Sequence, residues 1–278
     1  MYNLDGQVAL VTGTGGQNGI GRAIAIRLAR EGADIILNDI AMCPYNEEDK
    51  EPHPWEGMSA VVKEIEDLGQ QAIPIVADVS DADQVNNMIL QALGKFGHID
   101  ILVNNAGAPA GSDRVPLVDL EEEDWDTVHR VNVKGTFLCC RAIARHMMNR
   151  NQGGKIINIS SLAGKRGVAR YAAYCSSKFA VIGLTESLAK ELAPHRINVN
   201  AICPGLVDTE RVGHIASAIM PEDLSPSEQR EQLVQQATSS VPFKRIAQGS
   251  DVANMAAFLA SSESDYLTGL AVTVAGGA

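Results

Sequence analysis

No apolar run in this sequence approaches the roughly 18 residues of a membrane-crossing helix, so a membrane partner is not expected. The opening residues, Met1-Tyr2-Asn3-Leu4-Asp5-Gly6, hold neither a basic stretch nor an apolar segment. No secretory leader is expected on that ground, and the expected location is the cytoplasm. Cations are outnumbered, 23 Lys and Arg against 34 Asp and Glu, for a formal net charge of −11. A general nucleic-acid binder needs a basic surface, so that class is excluded. The acidity reads as a solubility feature. Cysteine is scarce: Cys43, Cys139, Cys140, Cys175 and Cys203, with no Cys-x-x-Cys and no His at metal-ligand spacing. That pattern argues for reduced thiols and against a metal site. Cys175 reads as a small packing residue. Serine- or glycine-rich linkers, internal repeats and composition breaks are also missing. The 278 residues, 45% hydrophobic, are enough for one sizeable core, so one domain over 1–278 is expected.

What is present is an alternation of short apolar runs and helical periods. Val8-Ala9-Leu10-Val11 predicts a buried strand. A glycine-rich turn, Thr12 to Gly21, follows at once, and Arg22 to Arg30 is helical in period. That order makes such a turn a phosphate cradle: glycines let the backbone approach closely, and the helix N-terminus supplies partial positive charge. The next strand, Ala33 to Asn38, ends at Asp39, eighteen residues past Gly21. A carboxylate there accepts hydrogen bonds from the adenosine ribose hydroxyls and repels a 2′-phosphate, which favours NAD over NADP. Residues 40–57 are polar and hold three prolines. They form a long loop that lies over the adenine, at a subunit contact or simply on the surface; His53 and Trp55 carry no assigned role. After helix Met58 to Leu68 and strand Ala72 to Ala77, Asp78 is placed to meet the adenine amino group, while Ser80 or Asp81 caps the helix 82–96.

Strand Ile99 to Val103 leads into Asn104-Asn105-Ala106-Gly107, whose small and amide side chains suit a backbone that passes close to a ligand while bracing the sheet. A helix from Glu122 to Asn149 carries Asn132 in its middle with Gly135 three residues on, which predicts a kink. Strand Lys155 to Ile159, a helix ending at Pro194, strand Arg196 to Ile202, a helix Ser250 to Ala260 and strand Ala271 to Val274 complete the alternation. Residues 210–247 are polar with weak helical periods, and a substrate lid is expected around 206–247. The fold class is α/β, a doubly wound parallel sheet of about seven strands with helices on both faces. Ligands bind such sheets beyond the strand C-termini, where Gly13 to Gly21, Asp39, Asp78, Asn105, Ser161 and Pro204-Gly205 all fall.

The chemistry is read from Ser161 to Lys178. Tyr174 and Lys178 are four apart on a predicted helix and so share a face. A nearby cation favours phenolate over phenol, which makes Tyr174 a candidate general acid/base. Ser161, thirteen residues earlier at a strand mouth, is placed to hydrogen-bond a substrate oxygen; Ser160 is its alternative.

Thr12-Gly13…Gly19-Ile20-Gly21, Asn104-Asn105-Ala106-Gly107, Asn132-x-x-Gly135, Ser161, Tyr174-x-x-x-Lys178 and Pro204-Gly205-x-Val207-x-Thr209 together resemble the short-chain dehydrogenase/reductase family, over nearly the whole chain. The resemblance implies a Rossmann-like fold and a catalytic tetrad of Asn132, Ser161, Tyr174 and Lys178. Tyr174 would exchange the hydroxyl proton and Ser161 would orient the substrate oxygen. Lys178 would hold the nicotinamide ribose and lower the Tyr pKa, and Asn132 would anchor a water. It implies NAD contacts from Gly13, Asn18, Gly19, Ile20, Gly21, Asp39, Asp78, Val79, Asn105, Ala106, Gly107, Tyr174, Lys178, Pro204, Gly205, Val207 and Thr209, and a homotetramer. Two departures stand out. Five residues separate Gly13 from Gly19, two more than the family's usual spacing, and the 40–57 loop is longer than is common.

The expected function is therefore an NAD-dependent oxidoreductase interconverting a secondary alcohol and a ketone, with Ser161 and Tyr174 on the substrate. The alternative is a 3-oxoacyl-carrier-protein reductase using NADPH, against which Asp39 and the acidic charge argue. A catalytically dead dinucleotide sensor is the remote third reading, since all four tetrad positions are filled. Lys165, Arg166 and Arg170 read as solvated or intersubunit side chains, with an anionic substrate as their other possible partner.

Overall fold

In the computed structural model, residues 2–44 and 55–278 are described; His53 and most of the expected long loop lie outside them. Seven strands are ordered β3-β2-β1-β4-β5-β6-β7 in one parallel sheet. They are β1 (Val8–Thr12), β2 (Asp34–Asp39), β3 (Ala72–Val76), β4 (Ile101–Asn104), β5 (Gly154–Ile159), β6 (Ile197–Pro204) and β7 (Ala271–Val274). The order reverses between β1 and β4, and a crevice at such a switch point is where this architecture binds ligands.

Strand alternation divides the core between the two faces. Ala9, Val11, Ile35, Leu37, Ile101 and Val103 pack on one side. They meet Ile24 and Leu28 of α1 (Ile20–Arg30), Val61 and Ile65 of α2 (Met58–Glu66) and Val252 and Ala256 of α9 (Gly249–Ala260). Val8, Leu10, Ile36, Leu102 and Ile156 turn to the other side. There they meet α3 (Ala82–Phe96), α5 (Thr136–Arg150) and α6 (Ala172–Leu192) through Met88, Ile143 and Leu192. A residue period of two in strands buried on both faces reads as the continuous apolar runs seen in the sequence.

The kink expected around Asn132 is present, and one other segment differs from expectation. Within the helical stretch 122–149, α4 (Glu122–His129) passes through a π-helical turn, Arg130–Gly135, into α5. The cause is packing. Gly135 sits against Val79, where a Cβ would lie 2.8 Å from the valine Cγ2, and the wide turn turns Asn132 inward. The 210–247 segment is better ordered than its composition implied, holding α7 (Arg211–Ile219) and α8 (Pro226–Ser240). Ser225 and Glu228 cap α8 reciprocally, the Glu228 amide donating to Ser225 Oγ and the Ser225 amide to Glu228 Oε2 at 2.9 Å. That Ser-x-x-Glu signature was present in the sequence. Among the described residues no helix is long and apolar enough to cross a membrane.

Candidate active site

The glycine turn is built on bare backbone. Gly13 has φ +73°, and a Cβ there would lie 2.8 Å from Asn105 Nδ2. A Cβ on Gly21 would lie 2.1 Å from the Gly13 carbonyl oxygen. Asn105 ties the turn to β4 by donating from Nδ2 to the carbonyls of Thr12 and Gly13, both at 2.9 Å. Thr12 Oγ1 in turn accepts from the Asn105 and Ala106 amides at 3.0 Å. No side chain caps the start of α1 at Gly19, so its first amides are left for another acceptor. A cradle without side chains that ends at an uncapped helix fits a dinucleotide diphosphate.

The two departures in spacing meet each other. Gly15, in the lengthened part of the turn, donates its amide to Asp39 Oδ2 at 2.8 Å. Its carbonyl accepts from Trp55 Nε1 at 2.7 Å. Pro44 packs so closely that a Gly15 Cβ would lie 2.4 Å from its Cδ. Arg22 lies over the Trp55 ring, 5.3 Å from its centroid, and pairs with Glu64 at 2.6 Å. Trp55 had no role in the sequence reading, and in the fold it braces the turn. Burial pushes the Asp39 carboxyl up, while the Gly15 and Ile40 amides oppose the shift. Asn18 points its amide elsewhere, to Glu210 Oε1 at 2.6 Å.

The second half of the edge lies at β5 and α6. Ser160 is buried and donates its hydroxyl to the Lys178 carbonyl at 2.9 Å, a packing role that leaves half-buried Ser161 as the more accessible member of the pair. Ser161 Oγ accepts from the Ala163 amide at 3.1 Å, and the Ser161 hydroxyl helps to lower the Tyr174 pKa. Lys178 is buried and donates from Nζ to the Ile159 carbonyl at 2.9 Å; its Nζ is 5.7 Å from the Tyr174 ring centroid. Burial works against Tyr174 ionising. The charges of Lys178 and Arg211, the Ser161 hydroxyl and the Arg114 charge outweigh burial, and the phenol is held below its ordinary value. Burial lowers the Lys178 ammonium, and Tyr174 opposes that shift.

Asn132 is reached through the π turn. Its Oδ1 accepts from the Ala108 amide at 2.9 Å, and its Nδ2 donates to Ser177 Oγ at 3.0 Å. Ser177 donates to the Tyr174 carbonyl at 2.8 Å. Asn132 is therefore pinned between the β4 loop and the helix that carries Tyr174.

A cavity of about 240 Å³ opens between these parts. Of the expected residues, Ile20, Asn105, Ser161, Tyr174, Lys178, Pro204, Gly205, Val207 and Thr209 line it. Gly13, Asn18, Gly19, Gly21, Ala106, Gly107 and Asn132 do not line it, and Asp39, Asp78 and Val79 lie towards β2 and β3. Asp78 Oδ1 accepts from the Ser80 amide at 2.8 Å, while Asp81 caps α3. Val79 is buried against Gly135. A larger hollow of about 810 Å³ lies at the opposite, amino-terminal edge, lined by Gln7, Lys155 and Asn198, away from Tyr174.

Two lining cations were not singled out in the sequence reading, Arg114 and Arg211. The Arg114 guanidinium carbon is 4.2 Å from the Tyr171 ring centroid and 4.4 Å from that of Tyr174, and the side chain pairs with buried Asp113. Arg211, at the start of α7, lies 5.9 Å from the Tyr174 centroid and donates to the Ala108 carbonyl. An Asp-Arg pair in a loop carries no signal of its own, so only the packing of distant loops shows these cations. Lys165 and Arg170 are engaged otherwise: Lys165 donates to Thr273 Oγ1 at 3.0 Å, and Arg170 to the carbonyls of Arg114 and Ala218 at 3.1 and 3.2 Å. The Cys140 thiol, pushed up by burial to about 12, packs beside Asn104 and Asn158.

Comparison with known proteins agrees with this layout. The family model described as short chain dehydrogenase matches residues 7–220. Sorbitol dehydrogenase of Cereibacter sphaeroides is 38% identical, over 99% of this chain and 98% of that protein. A 3-oxoacyl-acyl-carrier-protein reductase of Thermotoga maritima is 37% identical, over 99% and 98%. The solved structure of an NAD+-bound xylitol dehydrogenase superposes with a TM-score of 0.84 at 34% identity, covering 98% of this chain and 99% of that one. The glycine cradle, the π-turn asparagine and the Tyr174-Lys178 pair thus sit on a chain that belongs to the short-chain dehydrogenase family of oxidoreductases.

Proposed function

We propose that the protein is an NAD-dependent oxidoreductase that interconverts a secondary alcohol and a ketone, with Asn132, Ser161, Tyr174 and Lys178 as its catalytic set. The observation that carries this reading is the placement of Tyr174, a half-buried phenol on the cavity wall with the buried Lys178 ammonium 5.7 Å from its ring and held below its ordinary pKa by Lys178 and the neighbouring cations. A phenol that ionises readily and faces the cavity is placed to accept a hydroxyl proton. Ser161 orients the substrate oxygen by hydrogen bonding, Lys178 stabilises the phenolate, and Asn132 holds the Tyr174 helix against the β4 loop. The bound dinucleotide supplies the hydride acceptor.

The preference for NAD rests on Asp39. Two backbone amides hold its carboxylate at the end of β2, where a negative charge disfavours a 2′-phosphate. Gly13, Gly19 and Gly21 give the diphosphate close backbone approach; Asn105, Ala106 and Gly107 face the nicotinamide half from β4, and Pro204 to Thr209 from β6. In this reading Asn18 and Thr209 bracket the diphosphate, Asp78 and Val79 flank the adenine, and residues 206–247 close over the substrate. The reading extends to a cytoplasmic homotetramer, which sedimentation in solution tests. Incubation of purified protein with a panel of secondary alcohols and either NAD+ or NADP+ tests the activity. Reduced cofactor should appear, faster with NAD+; cofactor binding without turnover of any alcohol or ketone would instead favour a sensor.

A further inference from the structure

The charges around Tyr174 do not balance within the protein. Lys178 is matched by Tyr174 whenever the phenol is ionised. Arg114 is fully buried but paired with Asp113. Arg211 is half-buried on the cavity wall, and no carboxylate pairs with it among the described residues. Its neighbour Glu210 is occupied by the Asn18 amide at 2.6 Å. The Nε atoms of Arg211 and Arg114 are both buried without a hydrogen-bond partner. A guanidinium donor shut off from water without a partner is costly unless an acceptor completes it, and an anion completes it best. A neutral polyol would leave that charge unmatched.

We infer that the substrate is a compact hydroxy- or oxo-carboxylate, its carboxylate held by Arg211 and its reacting oxygen presented to Tyr174. This rests on the alcohol–ketone reading above and narrows it. Three features fit. The guanidinium planes of Arg211 and Arg114 flank Tyr174, so the anionic group lies within a few bonds of the reacting carbon. The cavity of about 240 Å³ is lined in part by residues assigned above to the dinucleotide, so the space left for a substrate beside the cofactor is smaller still, which selects a small molecule. Arg211 opens α7, so the carboxylate would also tie that helix to the site, beside the bond its side chain already makes to Ala108. In the oxidation, the substrate C–H bond breaks and its hydrogen and electron pair leave as hydride to the dinucleotide. The hydroxyl proton passes to the Tyr174 phenolate, and the carboxylate is unchanged. Arg211 is a specificity residue for the anion; Arg114, paired with Asp113, positions the tyrosine rings.

The test compares 2- and 3-hydroxybutyrate with their methyl esters, which keep the shape and lose the charge. With NAD+, kcat/KM should favour at least one acid over its ester by about tenfold to a hundredfold, the range for hydrogen bonds to a charged group. Arg211→Met should bring the acid-to-ester ratio close to one, mainly through KM, and Arg211→Lys should restore part of it. Thermal shift of the NAD+-saturated protein with acid or ester reads the same pair without turnover, and titration calorimetry of NAD+ checks each variant's cofactor site. Faster turnover of both esters, or an acid-to-ester ratio unmoved by Arg211→Met, overturns the inference. So does Arg211→Met weakening NAD+ while leaving the ratio intact, which would assign the arginine to the cofactor. If neither acid, ester nor neutral polyol is oxidised, the dehydrogenase reading fails; an acid-specific thermal shift lost in Arg211→Met would still support the anion site, and its absence would overturn it.

Discussion

The two halves of the binding edge are held in place by different means. Around β5 and α6 the parts are close in sequence: Ser161, Tyr174 and Lys178 lie within eighteen residues, and a helical turn alone puts the tyrosine and lysine on one face. Around β1 and β2 the parts are joined across the fold. Gly15 is held by Asp39 and by Trp55, 24 and 40 residues away. The lengthened glycine turn and the long loop after β2 each look like an irregularity in the sequence, and in space each supports the other. A feature set by local geometry keeps the family spacing, whereas one set by long-range contact is free to change when its partner changes with it.

Substitutions that separate the halves test this contrast. The largest effect is expected from Tyr174→Phe, which removes the proton acceptor. Turnover should fall by a factor on the order of 10²–10⁴, while NAD+ affinity measured by calorimetry stays within about twofold. Substantial residual activity would move the proton transfer to another group. Next comes Asp39→Ala. Loss of the carboxylate should shift the ratio of kcat/KM for NADP+ over NAD+ upward by about tenfold or more, with the pH profile unchanged; a constant ratio would mean Asp39 serves only the Gly15 amide.

A smaller change is expected for Trp55→Phe, which keeps a ring near Arg22 and deletes the donor to Gly15. One hydrogen bond of about 1 kcal/mol corresponds to about a fivefold weaker NAD+ affinity. The value of kcat should stay near wild type, and an equal loss in kcat would mean the two halves are coupled. The smallest effect concerns pH. Oxidation needs the phenolate, and Tyr174 is held below its ordinary pKa, so kcat/KM should rise with pH through a value below that of a free phenol. Replacing Arg211 by Met removes one of the depressing charges, so the rising limb should move to higher pH. A limb that stays in place would assign the pKa to a different group.

Much of the catalytic half was readable beforehand because its rules are local. Strand runs, the Tyr-x-x-x-Lys interval and the order strand, glycine turn, helix each depend on residues a few places apart. Asn132 was readable only as an anomaly, a poor helix former in a helix. The π turn explains it, because Gly135 must fit against Val79 from a distant strand end. Ser160 and Ser161 could be ranked by spacing, but the hydroxyl bonded to the Lys178 carbonyl separates them on structural grounds.

The sequence by itself determined the alternating layers, the parallel sheet and the positions of the residues at its carboxyl edge, because burial on both faces and helical periodicity are written into neighbouring residues. Tertiary structure alone decided that Trp55 braces the glycine turn, that Lys165 and Arg170 are engaged with the protein's own backbone and side chains, and that Arg114 and Arg211 converge on Tyr174. Those pairings join loops 40 to about a hundred residues apart. No short-range pattern encodes them; they arise where the crossovers return distant loops to the same edge.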